Sequence, residues 1–201
     1  MYLFFDTETS GLPNFKAPNS DPSQPWVVQL AAVLTNELNH PLQTMSLMIR
    51  SEGLPMSPEA EATHGISVST ADTYGIMPAE ALGMFINLAR KSTRIIAHNI
   101  SFDMRLLKIM ATRVRSEAKD DIYYMDENIP KVCTMMSTAK LCNLPYPSGK
   151  KGCKWPKLEE LASFLFGAEW LAQWLCTRSL HDALVDVELT RECYFELVRR
   201  G

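Results

Sequence analysis

The amino-acid sequence predicts an α/β domain built on a mixed β-sheet with helices packed against it. Three observations carry this reading. Apolar, strand-like runs come first, at residues 2–5, 26–36 and 42–50. After them, helical periodicity and a further apolar run at residues 93–99 are interleaved along the chain. The 201 residues, 46% of them apolar, suffice for one domain, residues 1–201, with a substantial core.

Tyr2-Leu3-Phe4-Phe5 is the pattern of a buried strand, closed by the turn formers Ser10, Gly11 and Pro13. The stretch GLPNFKAPNSDPSQP is too turn-rich for helix or strand. WVVQLAAVLTN and LQTMSLMIR follow as two strands joined by a turn around Asn39-His40-Pro41. Ser57 then has the position of a helix N-cap, with Pro58 first in the helix, Glu59 and Glu61 in its first turn and Gly65 as its stop. PAEALGMFINLARK is a second helix whose stripe is Leu82, Phe85, Ile86 and Ala89. TRIIAHN is a strand, and SFDMRLLKIMATRV a helix begun by Ser101. CTMMSTAKLCN and KLEELASFLF read as short helices on either side of LPYPSGKKGCKWP. DALVDVELTRECYFELVRR is the last helix, with Ala183, Val187, Thr190, Tyr194 and Leu197 on one face.

A net charge of −3 gives no global basic field of the kind that marks a long nucleic-acid track. The five cysteines form no C-x-x-C pair, which argues for free thiols and against a zinc site or a disulfide framework. With neither a basic leader followed by an apolar run nor a spanning segment, the expectation is a cytoplasmic protein without membrane contact.

The chemistry begins where the first strand ends, in DTETSGLP. Side chains alternate along a strand, so Asp6 and Glu8 point to one face and Thr7 to the other. Two like charges at the mouth of a core are costly unless a cation lies between them. AHNISFDMRLL supplies Asp103 in the first turn of a helix that leaves a strand end, where open α/β sheets build their sites. HDALVDVELT supplies His181, Asp182 and Asp186. Asp182 and Asp186 are one turn apart, whereas His181 lies about 140° from Asp186 on an ideal helix. His181 joins such a site only from the preceding loop. Periodicity alone does not choose between the two aspartates.

Together, DTETSGLP, AHNISFDMRLL and HDALVDV resemble the three motifs of the DEDDh, or DnaQ-like, 3′–5′ exonucleases, a family that includes RNase T and oligoribonuclease. The family pattern is D-x-E, then an Asp after N-x-x-F, then H-x(4)-D. Asp6, Glu8, Asp103, His181 and Asp186 match it in type and order. The resemblance implies an RNase H-like fold and two divalent ions, Mg²⁺ or Mn²⁺. It also implies that Asp6, Glu8, Asp103 and Asp186 hold those ions while His181 is the general base. The expected substrates are single-stranded nucleic-acid 3′ ends, DNA ahead of RNA.

Substrate contacts are expected from Thr7, Thr9, Asn99 and Phe102 within the motifs. His64 and Gly65 are expected to add to them, because Thr63-His64-Gly65-Ile66 resembles the family's H-G-I segment. Lys150, Lys151 and Lys154, gathered around Trp155, read as a phosphate-binding edge. The chain departs from many members in having Cys133-Thr134 where they carry Asp-Thr. It also has an insertion at residues 14–25 and the segment EWLAQWLCTRSL before the third motif. A polymerase or repair partner that delivers the end is compatible with all of this, and the oligomeric state stays open. An exoribonuclease of the same family, or a catalytically silent binding module on the same fold, are the alternatives. None of the five motif residues is lost, which speaks against the second.

Overall fold

Strand β1 (Tyr2–Thr9) lies at the centre of a five-stranded sheet in a computed structural model that describes residues 1–114 and 118–201. It is followed by β2 (Val27–Thr35), β3 (Pro41–Met48), α1 (Pro58–His64), α2 (Val68–Tyr74) and α3 (Pro78–Ala89). Next come β4 (Arg94–Ala97), α4 (Ile100–Val114), α5 (Ala118–Asn128) and β5 (Lys131–Cys133). The chain ends with α6 (Thr134–Ser137), α7 (Ala139–Cys142), α8 (Leu158–Phe166), α9 (Ala168–Trp174) and α10 (Ala183–Arg200).

The sheet order is β3-β2-β1-β4-β5. β1 pairs antiparallel with β2 and parallel with β4, so the sheet is mixed, and with helices on both faces it has the RNase H-like architecture. All nine residues of β2 are buried, as befits a strand between two others with both faces covered. β3 is an edge strand, largely exposed and opened by Pro41, which an edge tolerates.

Alternation in β1 divides the core. Leu3 and Phe5 pack with Leu82 and Phe85 of α3 and with Leu106 and Leu107 of α4. Phe4 faces the other way, against Ala183, Val187 and Tyr194 of α10. Each buried leucine, valine or phenylalanine here contributes about 1.5–3 kcal/mol by leaving water. On its far flank α10 receives α8, through Leu161 and Leu165 against Leu189 and Cys193.

Several elements differ from the sequence expectation. β5 occupies Lys131–Cys133, three residues too short to show a period, and Cys133 therefore ends a strand instead of opening a helix. CTMMSTAKLCN forms two single turns broken at Thr138. The sequence pattern predicts no helix where α2, α5 and α9 lie, because their apolar stripes are thin. The five cysteines are all free thiols, and among the described residues no helix is long and apolar enough to cross a membrane.

Candidate active site

The two faces of β1 meet again at its end. Asp6 and Glu8 share the face of Phe4, towards α10, whereas Thr7 shares the face of Leu3 and Phe5, towards α4. The β1–β4 ladder stops at Phe4↔Ile96. The Thr7 amide is thus left to donate to Asp103 Oδ1 at 3.2 Å, and the Thr7 hydroxyl donates to the same oxygen at 2.7 Å. Asp103, only 2% exposed, is in this way drawn from the opposite layer to the strand end. A register shift between Glu8 and Thr9 then turns the chain out of the sheet.

The third motif is positioned by caps. Asp182 is the N-cap of α10, accepting from Leu184 N at 2.9 Å and from Val185 N at 3.4 Å. Asp186 therefore stands in the first turn, and His181 lies on the loop before it with a left-handed φ of 64°. The His181 amide donates to Asp186 Oδ2 at 3.2 Å. An imidazole nitrogen of His181 and carboxylate oxygens of Glu8 and Asp186 lie within 4.8 Å of one another. Gln29, the register partner of Glu8, accepts from the Ala183 amide at 3.0 Å and so ties the start of α10 to the sheet. Sequence reasoning passed over Gln29. A polar residue inside a fully apolar strand was the available signal.

Charge dominates this strand end. Burial raises the Asp6 carboxyl well above its ordinary range, and the charges of Asp103, Asp186 and Glu8 push it the same way. Burial, then Asp186 and Asp103, lifts Glu8 to about 8. Burial lifts Asp103 to about 7 despite the two hydrogen bonds from Thr7. Asp186 is lifted to about 7 by burial, against the His181 amide that favours its charge.

These four carboxylates face a cavity of about 1010 Å³. Among the described residues lining it, Lys157 is the one lysine or arginine, and its ammonium lies 3.6 Å from Glu159. Asp186 Oδ1 is buried with no hydrogen-bond partner. Several oxygen donors without a basic counter-charge fit hard divalent cations.

Of the residues expected at the substrate, Thr7, Thr9, His64, Asn99 and Phe102 line this cavity. The Thr7 hydroxyl is engaged by Asp103, and that of Thr9 by the carbonyls of Gly11 and Trp26. His64 Nδ1 accepts from the Ile66 amide at 3.0 Å, and burial pulls its imidazole below the ordinary range. Gly65 is not among the lining residues. It ends α1 with φ 72°, and an added Cβ would meet nothing within 4 Å, so backbone conformation and not close approach explains the glycine. The Asn99 carbonyl receives the first amides of α4, from Phe102 at 2.9 Å.

Lys150, Lys151 and Lys154 are not among the cavity-lining residues either. Lys154 is paired with Glu160 at 2.6 Å, and Lys150 lies 5.4 Å from the centre of the Tyr146 ring. Trp155, Pro156 and Lys157 line the cavity in their place.

A family profile described as exonuclease, that of RNase T, matches residues 3–194. A search of curated proteins by sequence finds no match. Among solved structures, E. coli exonuclease I in complex with a dA16 oligonucleotide superposes with a TM-score of 0.70 at 20% identity, over 99% of this chain and 40% of that one. Exonuclease I from Methylocaldum szegediense gives 0.68 at 21% identity, over 99% and 40%. The zinc-bound form of the E. coli exonuclease I–ssDNA complex gives 0.68 at 20% identity, over 100% and 40%. The chain thus spans about two fifths of the length of these exonuclease I chains.

Proposed function

The chain belongs to the RNase T-type exonuclease family, and we propose that it hydrolyses the terminal phosphodiester at the 3′ end of single-stranded or frayed DNA. Each turnover releases one nucleoside 5′-monophosphate. The observation that carries this reading is the convergence of Asp6, Glu8, Asp103 and Asp186 on one cavity where, among the described residues, the one lysine or arginine is Lys157, which lies against Glu159. The DNA preference draws support from the single-stranded oligonucleotides held by E. coli exonuclease I.

Asp6, Glu8, Asp103 and Asp186 would hold two Mg²⁺ or Mn²⁺ ions. Bound there, such ions would polarise the phosphodiester and stabilise the charge that develops as it is cleaved. His181 takes the proton of the attacking water on an imidazole nitrogen, which lies within 4.8 Å of the Glu8 and Asp186 carboxylates. The water oxygen bonds to phosphorus while the P–O3′ bond breaks, and the O3′ of the shortened strand takes a proton from solvent to leave a 3′-hydroxyl. The His181 amide and the Gln29 anchor keep the start of α10 in register with Glu8. Thr7 holds Asp103 against the repulsion of its neighbours. His64 and the loop after β1, through Gly11 and Leu12, bound the space for an unstacked terminal nucleotide, and a base is cheapest to splay when unpaired.

The test is a gel series on 5′-labelled single-stranded DNA, single-stranded RNA and a duplex with a mismatched 3′ end. It compares wild type with Asp103→Ala, in Mg²⁺, Mn²⁺ or EDTA. The expected result is a ladder shortening one nucleotide at a time on single-stranded DNA, absent in the variant and in EDTA. Internal cuts in a circular substrate would overturn the exonuclease reading, and faster RNA cleavage would overturn the DNA preference.

A further inference from the structure

We propose that Trp155 is a stacking platform for a base of the single strand that enters the cavity. This deepens the exonuclease reading and rests on its single-stranded substrate. Trp155 lines the cavity, yet 57% of it is exposed. A tryptophan that serves the core buries its area, as Trp26 does at 5% exposed. Trp170 and Trp174 stack on each other, and Trp170 also stacks on Phe166, so their faces are already in use. Among the described residues, neither an aromatic ring nor a cationic group lies against the Trp155 indole.

Its backbone, by contrast, is held on both sides. The Lys154 amide donates to Leu144 O at 2.9 Å, and the Lys154 ammonium is bound by Glu160. The same Glu160 carboxylate accepts the Lys157 amide at 2.8 Å. Pro156 is buried, and its carbonyl accepts from His98 Nε2 at 3.0 Å. That bond assigns the proton to Nε2 and leaves Nδ1 to accept from the Thr134 hydroxyl at 3.0 Å. Burial, which pulls His98 below its ordinary range, favours the neutral ring that this arrangement needs.

An indole presented to solvent from a pinned backbone loses little freedom when a flat partner settles on it. Every nucleobase has such a face, and Lys150, Lys151 and Lys157 are exposed nearby in sequence to meet the phosphates.

The test measures binding of a short 5′-fluorescein thymidine oligonucleotide by anisotropy in Ca²⁺, and KM and kcat in Mg²⁺. Wild type, Trp155→Ala and Trp155→Phe are compared on the intact strand and on one of equal length with abasic residues at its 3′ end. Trp155→Ala is expected to weaken binding by about 5- to 100-fold, the worth of one base–aromatic stack. The loss should fall on KM more than on kcat, and Trp155→Phe should recover most of it. On the abasic strand, wild type and Trp155→Ala should bind alike. Equal losses on both strands would overturn the platform and leave Trp155 a structural residue or a surface for a protein partner. Unchanged binding by Trp155→Ala, with hydrolysis intact, would overturn the platform and spare the exonuclease reading. Trp155-dependent binding without hydrolysis would do the reverse. If wild type binds no single strand, both fall.

Discussion

Thr7 and Asp103, 96 positions apart, share one carboxylate oxygen between two donors, the Thr7 hydroxyl at 2.7 Å and the Thr7 amide at 3.2 Å. The middle residue of the D-x-E motif therefore has a structural task. It faces away from Asp6 and Glu8, and it fetches an acid from the layer they cannot reach.

Thr7→Val keeps the shape and removes the hydroxyl donor, whose bond favours the charged carboxylate. The Asp103 carboxyl should move further up, and activity at neutral pH should fall by about 10–100-fold, as when a partner of a metal ligand is lost. Thr7→Ser should retain most activity. A Mg²⁺ titration of the rate checks this, and equal Mg²⁺ dependence in Thr7→Val and wild type would refute it.

Asp182 and Asp186 should separate cleanly. Asp182→Ala removes the two N-cap hydrogen bonds of α10 and should cost about 0.5–2 kcal/mol of stability with hydrolysis retained. Asp186→Ala should abolish hydrolysis in a folded protein. Thermal melts beside rate measurements decide it, and the reverse pattern would show that the aspartates had been exchanged.

His181→Ala should lower the rate by about 10²–10⁴, the usual worth of a positioned base. One ionisation should also leave the acid limb of the pH–rate profile. A profile of unchanged shape would mean that another group takes the proton. Calcium should bind the site and support little turnover, because its loose coordination places the reacting oxygens poorly.

The metal-free protein should lose stability as pH rises. Glu8 at about 8, Asp103 and Asp186 at about 7 and the raised Asp6 bind protons more tightly folded than unfolded. Their contribution is complete below the ordinary carboxylate range near 4, and it disappears as pH climbs through about 7–8. In EDTA the melting temperature should therefore drop between mildly acidic and mildly alkaline buffer. Each kcal/mol is worth about 2–4 °C for a chain of this size. Mg²⁺ should raise the melting point more at the alkaline end, and Asp186→Asn in EDTA should flatten the decline. A melting point that rises with pH in EDTA would contradict the cluster.

Much of this was legible in the chain itself. The apolar runs of β1, β2 and β4 and the stripes of α3 and α10 follow from short-range alternation and periodicity, and the buried sets Leu82, Phe85, Ile86 and Val187, Thr190, Tyr194 agree with them. Three carboxylate-bearing motifs in order were readable as types and spacings. Short elements were not. β5 has too few residues to display a period, and the surface helices α5 and α9 show too little apolar contrast.

Only the tertiary structure decided how the groups meet. Gln29 opposite Glu8, the amide of Thr7 freed by the end of β4, and the left-handed His181 are consequences of register and long-range packing, which local sequence does not encode. The lysines around Trp155 show the same limit from the other side. Their composition suggests a phosphate edge, and Lys150 and Lys151 stand exposed, but Glu160 neutralises Lys154, and the cavity is lined by Trp155 and Lys157 instead of Lys150, Lys151 or Lys154. Which member of a polar, aromatic-bearing loop faces inward depends on where its backbone is tied, and here His98 and Glu160 tie it.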